Sequence, residues 1–215
     1  MRLWGWFAFA LLLPVAAFTQ TADGTHPVKV AKAATNTTMT GTAMTDTAAT
    51  YTPTYTKDGQ LIFPAKYREW IYLTSGIDMS YAVKAGAADE SMFDNVFVNP
   101  AAYRSFLQTG TWPDKTVLVL EVRGAESKGS INQRGHYQGT DMMGMEVHVR
   151  DAARFPDKWA FFDFENTVSG KQIARSATCY RCHEQHGAVD TTFVQFYPTL
   201  LEIAKKKGTY RADHP

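Results

Sequence analysis

The 215-residue sequence predicts an α+β domain, a mainly antiparallel β-sheet with helices packed on one side. Three observations carry that expectation. Strand-like runs outnumber long helices through the middle of the chain, while helical signals gather toward its ends. Met145, Val147 and Val149 alternate with Glu146, His148 and Arg150, a period of two with one apolar face. Residues 159–164 form a dense aromatic run suited to a buried strand. With 45% hydrophobic and 13% aromatic residues, the chain has enough apolar surface for one real core once its unstructured ends are set aside.

In chain order, Met1-Arg2 is a short positive start and residues 3–18 are an apolar run with the small residues Val15-Ala16-Ala17 near its end. Residues 1–22 therefore read as a secretion signal, too short for a spanning helix and followed by polar sequence. An uncleaved anchor is the alternative, and either places the folded part in the periplasm or otherwise outside the cytoplasm. Residues 23–57 are rich in Thr and Ala and poor in large apolar groups, so they read as a disordered linker that cannot offset its ordering entropy. The folded domain is expected over residues 58–207, with a tail at 208–215.

Inside the domain, Pro64 sits at the entry to a short helix carrying Tyr67, Trp70 and Ile71. Asn95-Val96-Phe97-Val98 reads as a strand. Asn99-Pro100 is an N-cap and first helical position, and that helix stops before Gly110. Residues 116–123 are rich in β-branched groups and read as a central strand, followed by a glycine-dotted turn over 124–135. From about residue 172 to 207, helix and loop surround the only two cysteines, and a last helix follows Tyr197-Pro198. The lysines at 205, 206 and 207 fit the solvated end of that helix.

Cys179-Tyr180-Arg181-Cys182-His183 is the motif that carries chemistry. Two thiols at this spacing can form thioethers to both vinyl groups of one haem, and the next histidine then reaches the iron as axial ligand. A thioredoxin-like pair lacks the βαβ pattern around it, and a zinc site would need two further ligands. A disulfide between such close neighbours would constrain little chain. The expected cofactor is one covalent haem c, held by Cys179 and Cys182 and ligated by His183. Met142, Met143, Met145, His136, His148 and His186 are candidates for the sixth iron position, and the sequence leaves that position open. A formal charge of +1 gives no broad field to attract nucleic acid, and no Gly-rich phosphate loop occurs.

Further runs give the chain a family likeness: Lys66-Tyr67-Arg68-Glu69-Trp70, Asn99-Pro100-Ala101-Ala102-Tyr103, Lys158-Trp159-Ala160-Phe161-Phe162 and Phe193-Val194-Gln195-Phe196-Tyr197-Pro198. With the haem motif they resemble the cytochrome P-460 family and its relative cytochrome c′-beta over roughly residues 58–204. The resemblance implies a β-rich fold, one haem c and a homodimer. It also implies one of two chemistries. In the oxidase branch a strand lysine is linked to the macrocycle and hydroxylamine is oxidised, with electrons passed to a cytochrome partner. Here Leu120 occupies the lysine's place within Thr116-Val117-Leu118-Val119-Leu120-Glu121, in the distal pocket, and leucine cannot form that link. The departure implies the second type, a five-coordinate haem binding nitric oxide or a similar small diatomic or nitrogenous ligand. Glu146 stands where the family's oxidases keep a distal carboxylate, a candidate catalytic base. Because it shares its face with His148 and Arg150, it is equally readable as a solvated strand residue or as an ion-pair partner. A plain electron-transfer cytochrome is the remaining alternative.

Overall fold

The computed structural model describes residues 51–79, 91–129, 133–165 and 167–213. The expected signal at 1–22, and the expected linker as far as residue 50, lie outside them. Among the described residues, seven strands form one sheet: β1 (Leu61–Ile62), β2 (Ile71–Ile77), β3 (Met92–Val98), β4 (Val117–Glu126), β5 (Tyr137–Arg150), β6 (Trp159–Asp163) and β7 (Ser169–Gln172). Their order is β1-β7-β6-β5-β4-β3-β2, with every neighbouring pair antiparallel. The fold is therefore mainly antiparallel β, as expected. Strands β2 to β7 run as a meander, and β1 closes onto its far end.

Alternation sorts the strand side chains onto two faces. Val117, Val119, Met145, Val147, Val149, Ala160 and Phe162 share one core cluster with Leu61, Tyr67 and Phe155. Val98, Leu118 and Trp159 share the other with residues of two helices, α1 (Pro100–Thr109) and α3 (Leu201–Lys207): Ala102 and Phe106 from α1, Ala204 from α3. A third helix, α2 (Thr178–His186), meets that same face through Tyr180. The Tyr180 hydroxyl accepts from the Phe161 N–H at 3.1 Å and donates to the Ile173 carbonyl at 3.2 Å.

Several expectations need correction. The helix after Pro64 is only a 3-10 turn at Tyr67–Glu69, and Ile71 opens β2 instead. Asn99 stands at the N-cap of α1, but its side chain makes no capping bond. Its amide accepts from the Val117 N–H at 2.9 Å and donates to the Lys115 carbonyl, pinning the start of β4. Gly110 ends α1 in the left-handed region at φ 75, the conformation that favours glycine there. The linker does not extend to residue 57. Tyr51 packs against Trp70 at 4.7 Å between centroids, Pro53 is buried, and Tyr55 pairs with Leu61. Two tyrosines supply the apolar area that the average Thr/Ala composition hides. The 208–215 segment is no free tail as far as it is described. Thr209 donates to the Gly110 carbonyl at 2.7 Å, Tyr210 packs on the core, and the Arg211 N–H reaches the Ala188 carbonyl.

Candidate functional site

Helix α2 presents Cys179 and Cys182 one turn apart, so both thiols share a face, with His183 beside the second. The helix is fastened to β6 through Tyr180, whose ring also meets Phe161 edge-on at 4.8 Å. Both cysteines are free and partly exposed, and burial raises their thiol pKa values.

His183 is held more tightly. Its Nδ1–H donates to the Thr191 carbonyl at 2.8 Å, which fixes the tautomer and leaves Nε2 with its lone pair available to a metal. Burial lowers its pKa, favouring the neutral, ligating form. Its ring packs between Phe193 (4.3 Å) and Phe161 (4.6 Å), with His148 edge-on at 5.2 Å.

Facing α2 is the sheet. Register sets Thr74, Val96, Leu120, Glu146 and Asp163 in one row across five strands, all on the same face. The neighbouring rows hold Asp94 with Val122, and Leu118 with His148 and Phe161. Two connected hollows lie over this face. The smaller, about 110 Å³, is lined by Leu120, Glu146, His148, His183 and Phe193 among others. The larger, about 680 Å³, is lined by Asp94, Met79, Cys182 and Phe196 among others. Val96, Leu120, Phe193 and Tyr197 line both. This is the size and mostly apolar character of a cofactor pocket. Two free thiols on one helical face, a tautomer-fixed imidazole and an apolar hollow beside them fit a covalently held haem.

The two carboxylates behave alike. Glu146 is solvent-exposed over the open hollow, yet desolvation by the surrounding walls raises its pKa, helped by the charges of Asp163 and Asp94. Burial likewise raises that of Asp94, with Asp78 adding to it. Glu146 does not pair with its neighbours on β5. Arg150 reaches Asp190 at 3.4 Å, and His148 is buried, stacked on Phe161 at 3.9 Å and 11°. Burial pushes the His148 pKa well down, so the ring is neutral.

The structure thus brings Cys182, His183, Leu120 and Glu146 to the hollows, and Cys179 one turn away. The sixth-ligand candidates fare differently. Met145 is buried in the core on the opposite face of the sheet. Met142 and Met143 are exposed in the middle of β5, and His136 sits beside Ser127. None of these, nor His186, lines either hollow; His148 does. Sequence reasoning missed Met79, Asp94 and Thr191. Asp94 was findable, because it stands two residues before Val96 on the strand and so shares its face. Met79 and Thr191 carry no local signal and arrive through tertiary packing. A family model described as cytochrome P-460 matches residues 64–194, and no curated protein matches the chain.

Proposed function

The chain belongs to the cytochrome P-460 family, and from that premise we propose that it is an exported mono-haem c protein whose iron takes up nitric oxide or a similar small ligand. Cys179 and Cys182 would hold the haem by thioethers, and His183 Nε2 would be its axial ligand. When bound, the haem supplies an iron with one coordination position left for a ligand. The chain's own residues orient the imidazole through Thr191, exclude water with Phe161 and Phe193, and wall the pocket with Val96 and Leu120. That wall is the observation that carries the reading. Val96 and Leu120 line both hollows, and an aliphatic side chain neither ligates iron nor links to the macrocycle.

The test is the absorption spectrum of the reduced protein with and without carbon monoxide. A high-spin spectrum that shifts on adding carbon monoxide is expected. A low-spin, six-coordinate spectrum indifferent to it would overturn the reading in favour of electron transfer, with Met79 the first ligand to substitute. Cys179→Ser with Cys182→Ser should leave haem extractable by acidified solvent.

A second reading, oxidation of hydroxylamine or peroxide chemistry with electrons passed to a partner cytochrome, is favoured by Glu146. A carboxylate of raised pKa facing the pocket can accept a proton from a bound N–H. Steady turnover with a dye acceptor, lowered roughly 100-fold or more in Glu146→Gln, is its expected outcome; no turnover in the parent protein removes it. The proposal includes a periplasmic location after cleavage of residues 1–22 and assembly as a homodimer. It also takes the fold as α+β with helices over the pocket face, supported by the shared cluster of Leu118, Phe106 and Ala204.

A further inference from the structure

The axial histidine does not rest on α2 alone. Its Nδ1–H partner, the Thr191 carbonyl, belongs to a turn over residues 187–192 that is tied down from several sides. At Gly187 a Cβ would lie 2.6 Å from the His183 carbonyl and 2.8 Å from the backbone of Thr191 and Thr192. Only a residue with no side chain lets the turn come this close to the helix end. The turn is cinched by the Thr192 N–H bonding to the Val189 carbonyl at 3.0 Å. The Thr192 hydroxyl accepts from Trp112 Nε1 at 2.8 Å and donates to Val189 O at 2.7 Å. Asp190, at φ 51, pairs with Arg150 of β5.

A further tie is His148. Its Nε2 and the Thr191 hydroxyl are hydrogen-bonded at 3.3 Å, and the ring is clamped between Phe161 and Trp159 (4.4 Å). One threonine thus joins two histidines: its carbonyl accepts from His183 and its hydroxyl meets His148. A buried polar atom on a clamped ring has little freedom to find another partner, so the bond fixes where Thr191 sits.

We propose that His148 is a positioning residue, which through Thr191 sets the strength of the hydrogen bond to the axial His183 and with it the electron donation of that ligand to iron. A stronger bond at Nδ1 gives the imidazole more anionic character, strengthening its donation and favouring the oxidised metal. The inference rests on the iron ligation proposed above.

The experiment uses the haem-loaded full chain and two readouts: the iron–histidine stretching band of the ferrous protein by resonance Raman, and the reduction potential. His148→Phe keeps the stacking and removes the hydrogen bond. Thr191→Val removes the hydroxyl, keeps the carbonyl, and covers the case in which the core variant does not fold. Both should move the band to lower frequency and the potential upward. The double variant should move them no further than the larger single change, because both break one contact. Thr191→Ser and His148→Gln, which keep hydrogen-bonding groups, should stay near the parent. A parent band with both Phe and Val variants unmoved overturns this inference alone. A parent with haem attached but no such band overturns the proposed ligation and this inference together.

Discussion

At the scale of single residues, the sheet's two faces hold carboxylates of opposite behaviour. Glu121 is 1% exposed on the face away from the pocket and is bonded by Tyr67, Arg68 and Arg123, the last at 2.5 Å. Burial alone would raise its pKa, but the Arg123 and Tyr67 hydrogen bonds and the two guanidinium charges outweigh that, and the net shift is downward. A carboxylate lowered on folding stabilises fully above the ordinary glutamate range, and that stability disappears as pH falls through the lowered value. Glu121→Gln should therefore cost about 3 kcal/mol near neutral pH. It should also flatten the acid side of the stability curve, as urea unfolding at a series of pH values would record. Glu146 has the opposite sign. Its raised pKa means that the ionised form is disfavoured by the fold, so Glu146→Gln should leave stability at neutral pH unchanged or higher. The carboxylate that costs the fold something is the one facing the pocket, the pattern that the proposed role of Glu146 as a base calls for.

Among elements, the 187–192 turn offers the sharpest test. Gly187 has φ −69, open to any residue, so it is the close approach and not the backbone conformation that requires glycine. Gly187→Ala should push the turn from α2, cost roughly 1–3 kcal/mol by overpacking, and loosen the His183–Thr191 bond. A lowered urea midpoint together with a shifted iron–histidine band is the expected result. Elements differ in how plainly the sequence announces them. Strands β4, β5 and β6 were legible because their alternating residues are buried against a core, as Val147 and Phe162 are. Strand β2 was not. A register shift between Tyr72 and Thr74 breaks its alternation, and it is the last strand of the sheet. Strand β7, Ser-Gly-Lys-Gln, has no apolar pattern at all and is recognisable only by its partners. The site divides in the same way. Cys179, Cys182 and His183 are local in sequence, so their chemistry is readable. His148, Thr191 and Asp94 acquire meaning only when folding sets them beside that motif.

Across the whole molecule, the strand order has a consequence for the time course of folding. From β2 to β7 each strand pairs with its successor, so those hairpins close over short stretches of chain. The pairing of Leu61 with Gly170 is different, because it joins two strands from opposite ends of the domain's sequence. The entropy of closing so long a loop has to be met before that contact returns anything, which places it late on the route to the native state. Leu61 is fully buried, so Leu61→Ala should destabilise by about 2–5 kcal/mol. Because the contact forms after the rate-limiting barrier, nearly all of that loss should emerge as faster unfolding, with the refolding limb of the chevron almost unmoved. A refolding rate that falls in proportion to stability would instead make the β1–β7 seam part of the nucleus. If the seam is late, the lifetime of the folded protein is governed by a two-residue strand distant in sequence from the cysteines.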